Sequence, residues 1–498
     1  MHKRYISKAH MIGGCEARDQ VLFHNEGYVT VFVSLLLGAM MIFFVFGLEL
    51  AHLYAGRARA AKAVTDVTRG FFGDFDPDIF ERYHLLMIDE TYGTGGDAYL
   101  EERLFERLDG NLNGTGATPF SYEVSEVMLS EKTYLISDEC KPLKKQIHDY
   151  CAYSLLDNVV SELKKVNEEG EKEETFDPST EEASSEEQVY EDPTPVANGL
   201  KGSALLRFVC PIGSLPSETE VELSGVASRK NAISPESSPI SFDFSSEAGV
   251  SGLLSSVKLS LSGLTPPKES LELASYVRTC LSDQVNERDD TVFKAELEYL
   301  LFGRDTDSEN VLNAVNDIIL IRFPFNYQAL KKSPGKQAMI TAAATALTIA
   351  TGIPIKVYKV IFNAAGAYME SVLDVRALLA GERVSLKKSS AEWRLDLTAF
   401  FKKECKEKNK SSSGKGLAYR DYLTLLLLIR PNKKAFYYRL MDLVALNTKG
   451  EGELMDIDHM ITNATFSYRI ELFPRFSTTL YDSDPEAYTF VFERETGY

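Results

Sequence analysis

Between Gly27 and Leu48 the chain runs for twenty-two residues without a charge. As a helix this run is about 33 Å long, enough for a bilayer core of about 30 Å. A secretory apolar core is shorter, about 7–15 residues, and no small-x-small cleavage site follows before Arg57 and Arg59. "IGGC" at residues 12–15 resembles a lipoprotein site, but the apolar stretch follows that cysteine instead of preceding it. The run is read as a permanent membrane helix, with lipid as its first partner. The next stretch, "LELAHLYAGRARAAKAVTDVTRGFF", is alanine-rich and proline-free, with Leu53, Ala61, Val64, Thr68 and Phe71 on one helical stripe. One helix over 28–70 is expected, its first part in lipid and its second packed on a head domain.

Beyond it the periodicity alternates between 2 and 3.6. "ERYHLLMID", "PFSYEVSEVML" and "EKTYLISDE" read as strands, the last two as a hairpin turning over Leu129 to Lys132. Near the other end, Phe466, Tyr468, Ile470 and Leu472 alternate on one face, as do Tyr488, Phe490 and Phe492. Residues 266–448 read as mainly helical. Thr306 and Glu309 form a capping box ahead of the stripe Val311, Leu312, Val315, Ile318, Ile319. The uncharged stretch Ala338 to Ile355 reads as a buried hairpin of two core helices broken at Gly352-Ile353-Pro354, in preference to a second membrane span. "DYLTLLLLIRP" is too short to span and reads as a core helix ended by Pro431. Strands early and late with helices between predict an α+β ectodomain over 71–498, with one mixed or antiparallel sheet that includes the strands of 464–494.

Composition changes this picture in three places. The net charge of −19 argues against nucleic acid as a partner, because no basic face is available to displace counterions. Thirteen acidic residues lie between Glu162 and Val196; with so few apolar ones, 166–197 is expected to be a disordered insertion. The serine-rich residues 198–265 show no clear pattern. Six cysteines are too scattered for a disulfide scaffold. Cys140 and Cys151, eleven residues apart in a helical pattern, would lie about 16 Å from each other, beyond a disulfide's reach. The cysteines are read as free thiols.

Several blocks resemble a known group. "GYVTVFVSLLLGAMMIFFVFGLELAHLYAGRARA" and "FERYHLLMIDETYG" are similar to uncharacterised bacterial envelope proteins related to the TadE/TadG pilin-like proteins. So are "ELEYLLFGRDTDSENVLNAVNDIILIRFPFNY", "TGIPIKVYKVIFNAAGAYMESVLDVRALLAGERV" and "YRDYLTLLLLIRPNKKAFYYRLMDLVALN". The resemblance implies a cytoplasmic tail over 1–27, a pilin-like helix over 28–70 and an extracellular C-terminal domain. It also implies partners among other pilin-like subunits or Tad secretion components. Charge counting points the other way. Lys3, Arg4, Lys8 and Arg18 precede the apolar run, and Arg57, Arg59, Lys62 and Arg69 follow it more tightly; orientation is taken from the resemblance. Pilin-type precursors are cut after a glycine, here Gly27, and use a glutamate five residues later. Phe32 stands at that position, and the acidic residue Glu49 lies at the far end of the run.

Candidate chemistry is sparse. No HExxH, GxSxG or GxGxxG motif occurs, and "SSSGKG" lacks the upstream glycine and the Ser/Thr after lysine of a phosphate-binding loop. Asp305, Asp307 and Glu309 begin like a calcium loop, but Asn310 and Asn316 stand where glycine and glutamate belong. Asp456, Asp458 and His459 have no second set of ligands. No cofactor and no catalytic residue is assigned. Two readings remain. The first is a non-enzymatic, single-pass envelope protein, pilin-like or accessory to a Tad-type system, whose membrane helix packs through Gly38, Ala39, Gly47 and Ala51. The second is a membrane-tethered enzyme or ligand-binding ectodomain at the cell wall.

Overall fold

The computed structural model describes residues 16–91, 98–114, 118–151, 190–238, 267–388, 392–408, 416–448, 455–476 and 486–498, with Phe244, Ser246 and Ala248. In chain order the main elements begin with α1 (Glu16–Phe72), α2 (Pro77–Tyr83), β1 (Ile88–Asp89), α3 (Ala98–Asn113), β2 (Tyr122–Tyr134) and α4 (Ser137–Tyr150). Then come α5 (Lys268–Cys280), α6 (Glu296–Phe302), α7 (Asp307–Lys332), α8 (Pro334–Thr351) and α9 (Ile355–Leu379). The series ends with α10 (Tyr419–Ile429), α11 (Lys433–Thr448), β3 (Met460–Leu472) and β4 (Tyr488–Gly497). The chain forms an α+β fold of two compact units. Residues 1–74, 88–133 and 461–498 make a sheet unit; residues 75–87 and 134–460 make a helical unit.

In the sheet unit β3 is central and pairs with β1, β2 and β4. Its antiparallel register with β4 sets Tyr468 opposite Phe492, Ile470 opposite Phe490 and Leu472 opposite Tyr488. The alternation expected for both strands therefore sits on one sheet face, where Phe466, Tyr468, Ile470 and Leu472 are fully buried. The second half of α1 covers that face with Ala60, Ala63, Val64, Val67 and Phe71, the spacing of one helical stripe. Tyr468 and Thr68 share a hydrogen bond at 2.9 Å, and Phe71 and Phe72 meet Phe466 edge-on. Buried Leu100, Leu104, Leu108 and Leu112 make a second stripe along α3, and Arg59 of α1 donates to the Leu112 carbonyl.

The helical unit has its own core. In α9 nearly every residue from Tyr358 to Leu379 is buried, and the helix is apolar almost all round. Glu370 and Asp374 interrupt that apolar surface, and both are ionically paired. Arg322 of α7 holds Asp374 through Nε at 3.0 Å and Nη2 at 2.8 Å. Lys388 reaches both Glu370 and Asp374. Glu370 also accepts from the Arg394 and Leu395 backbone amides. The network ties the segment after α9 back onto the core and leaves its buried charges paired. Burial pushes the Asp374 carboxyl up, but Lys388 and Arg322 outweigh it and hold the group below the usual range. Thr306 caps α7 as expected, accepting from Glu309 N at 3.2 Å, and α10 is buried along its length.

Three local expectations change. β2 runs unbroken through Leu129 to Lys132, so no hairpin forms there. The stretch is held to the central strand by Ser130 Oγ on Thr465 O at 3.0 Å and Thr462 Oγ1 on Thr133 O at 3.1 Å, and it has no residue at positive φ to turn it. "ERYHLLMID" is mostly not strand. Asp76 caps α2 by accepting from Asp78 N and Ile79 N, Pro77 opens the helix, and His84 at φ 53° closes it. The α8–α9 hairpin forms around Gly352 at φ 78°, but its tip is open: Ile349 is 82% exposed. Of the acidic stretch 166–197, residues 166–189 lie outside the described residues. At its end, Glu191 N donates to Phe401 O at 2.8 Å, and Ala197 is buried in a short helix, Thr194–Gly199.

Candidate functional site

Helix α1 changes environment along its length. From Tyr28 to Phe46 its large apolar side chains face outward with nothing among the described residues packed over them; Phe43 is 79% exposed. This helix is long and apolar enough to cross a membrane, and no other helix among the described residues is. Gly38, Ala39, Gly47 and Ala51 all lie exposed on it. A Cβ added at Gly38 or Gly47 would meet nothing within 4 Å, so these positions are open to a neighbouring helix or to lipid. Gly27 belongs to the α1 backbone, and its surroundings lie outside the described residues.

At Glu49 the bare stretch ends. Glu49 is 4% exposed, and its carboxylate accepts from the Phe476 amide at 2.7 Å and the Arg475 amide at 3.4 Å. One turn on, His52 Nε2 donates to the Phe473 carbonyl at 3.3 Å. Its ring stacks on Phe120 at 5.0 Å and meets Phe476 edge-on at 6.0 Å. Arg475 Nη1 donates to Pro119 O at 2.9 Å, which joins the two loops beyond the sheet. Another turn on, the Tyr122 hydroxyl donates to Gly56 O at 2.8 Å. An added Cβ on Gly56 would fall 2.4 Å from Leu472 Cδ2. Gly56, not Gly38 or Gly47, is therefore the glycine that lets the chain's own elements close on α1. The signal was present as a glycine in the middle of an alanine-rich helical stretch.

In the helical unit the candidate acidic groups are held in structural pairings. Lys230 bridges Asp456 at 2.9 Å and Asp458 at 2.6 Å, which places the Asp456/Asp458/His459 cluster in an ion-pair network. Asp305 pairs with Arg229, and Asp307 accepts from the Lys294 and Ala295 amides. No group able to hold a metal ion occurs among the described residues. Of the "SSSGKG" loop, 411–415 lie outside them. The described cysteines are free. Burial pushes the thiols of Cys140, Cys151, Cys210 and Cys405 up to about 11, and that of Cys280 to about 12. None of these is a thiolate near neutral pH. Glu298 is fully buried, and burial followed by nearby Asp283 pushes it up to about 8. Its Oε1 accepts from Gln284 N at 3.1 Å.

These observations define a two-unit α+β protein behind one helix long and apolar enough to span a bilayer. Residues 183–472, more than half of the chain, match the family of unknown function DUF5702, and the protein belongs to that family. No curated protein and no solved structure matches it.

Proposed function

We propose that this protein is a single-pass envelope protein that works as a structural component, held in the membrane by α1 with both folded units outside the cell. The observation that carries the reading is the division of α1. One half has no covering from the described residues, and the other is locked to a sheet. A long helix with a bare apolar half is a costly surface unless lipid or other helices cover it. The pilin-like shape and the envelope resemblance support a role beside a Tad-type pilus or secretion system, with Gly38, Ala39, Gly47 and Ala51 offering close approach to partner helices.

Glu49 separates two versions of this idea. In a filament subunit an acidic residue near the start of the apolar helix meets a neighbouring subunit. Here Glu49 sits at the other end and is satisfied by the amides of Arg475 and Phe476, and Phe32 occupies the position five residues past Gly27. This favours an anchored accessory protein over a polymerising pilin. The test is fractionation of the full chain with mass spectrometry of its amino terminus. Retention in membranes after alkaline carbonate, with residues before Gly27 still attached, is the expected result. A mature chain starting at Tyr28 and recovered in sheared filaments would overturn the anchored version; a carbonate-soluble chain would overturn both.

A further inference from the structure

Helix α1 runs without a break from the apolar stretch into the sheet unit, so every group bonded to it has a fixed height along its axis. At 1.5 Å per residue, Glu49 lies about 1.5 Å beyond Leu48, His52 about 6 Å and Gly56 about 12 Å. The headgroup layer on each side of a bilayer core is about 5–7 Å thick. If Leu48 marks the edge of the hydrocarbon, the segment Glu49–His52 spans that layer. The residues tied to this segment are the two loops 118–120 and 473–476. Their composition suits that depth: Phe120, Phe473 and Phe476, with Arg475 exposed beside them. Phe473 is 37% exposed and Leu50 43%, while Tyr54, a turn higher, is 66% exposed.

We propose that these two loops form a collar around α1 that seats the sheet unit on the phospholipid headgroup layer. The inference rests on the membrane reading of α1. Aromatic rings favour the interface because they bring an apolar body and tolerate nearby water. The Arg475 side chain lies at the depth of the phosphates, where a guanidinium suits an anionic group. The Glu49 carboxylate would be costly so close to hydrocarbon if left bare, and the two amides of the 475–476 segment satisfy it. The collar thus explains why an acidic side chain and a histidine are buried at the end of an apolar helix. Leu472 and Gly56 mark the upper limit of the seat, because above them the sheet covers α1.

The experiment uses the full chain in phospholipid vesicles carrying nitroxides either at the headgroup or at mid-chain. Single tryptophans are added at three positions, and the emission of native Trp393 in the parent is subtracted. Phe44→Trp reports the anchor, Phe473→Trp the collar, and Glu493→Trp, five β3 positions above Leu472 by pairing with Ser467, the distal sheet. Expected is strong mid-chain quenching of Phe44→Trp and at least twofold quenching of Phe473→Trp by the headgroup nitroxide. Glu493→Trp should stay at the parent level. Arg475→Trp repeats the collar measurement if Phe473→Trp fails to fold. A quenched Phe44→Trp with a collar tryptophan no more quenched than Glu493→Trp overturns the seat and leaves the anchor standing. An unquenched Phe44→Trp overturns both.

Discussion

Gly56 and Gly70 sit on the same helix and predict opposite outcomes when replaced by alanine. At Gly56 the new methyl meets the Leu472 side chain, so the sheet must shift against α1; at Gly70 nothing lies within 4 Å. Gly56→Ala should cost about 1–3 kcal/mol, and Gly70→Ala should stabilise by up to about 1 kcal/mol through helix propensity. Chemical denaturation of the detergent-solubilised chain, followed on the sheet unit, checks both signs. Equal effects would mean that α1 does not close on β3 as described. Glu298 supplies a second test at this scale. Its folded-state value of about 8 lies above the ordinary 4.5, so between these pH values the folded chain holds a proton that the unfolded chain has released. Its favourable contribution is therefore fully present below about pH 4.5 and lost as pH rises through about 8, with a slope of at most about 1.4 kcal/mol per pH unit. Glu298→Gln imitates the protonated carboxyl and removes this slope. The variant should gain stability relative to the parent between pH 5 and pH 8, read from urea midpoints. A difference that does not change with pH would show that the carboxylate is ionised in the fold.

At the scale of elements, β3 decides whether the sheet exists. It pairs with β1, β2 and β4, and it contributes buried Phe466, Tyr468, Ile470 and Leu472. Each such side chain is worth roughly 1.5–3 kcal/mol when buried, against a total stability of about 5–15 kcal/mol for a domain. Ending the chain at residue 459 should therefore unfold the sheet unit and give aggregated protein in size-exclusion chromatography. A soluble, cooperatively melting product would show that β1, β2 and α1 hold together without β3. These C-terminal strands were legible because their alternation is strict, with one face of β3 fully buried and the matching face of β4 at least half-buried. The hairpin at Leu129 to Lys132 was misread for the same physical reason that makes β2 hard to see. Its exposed Ser130 and Glu131, followed by Lys132, look like a turn, although Lys132 is paired with buried Glu90 and the stretch runs on extended beside β3. The Asp76-Pro77 pair carried a local helix-start signal that the apolar run after it concealed. The tie between Glu49 and the 475–476 amides joins positions more than 400 residues apart, and no local pattern encodes it. The open tip of α8 was likewise hidden, because uncharged residues read the same whether buried or bare.

For the molecule as a whole, the orientation proposed for α1 and the place of the acidic segment each have a measurable consequence. Basic residues near the apolar run are balanced in number on its two sides, four before and four after, so charge distribution sets only a weak preference. The orientation proposed for α1, which follows the envelope resemblance, has the folded units outside. Protease added to intact protoplasts should then degrade the chain beyond α1, with the earliest cuts expected between residues 168 and 189. Six glutamates and one aspartate fall between Glu171 and Glu186, a composition poorly suited to burial. Deleting 168–189 should leave the thermal midpoint within about 2 °C of the parent, because the entropy of a connecting loop varies only with the logarithm of its length. A drop of about 10 °C would mean that the segment packs on the helical unit. Full protection from protease, lost only when the protoplasts are lysed, would place both units in the cytoplasm and reverse the orientation proposed for α1.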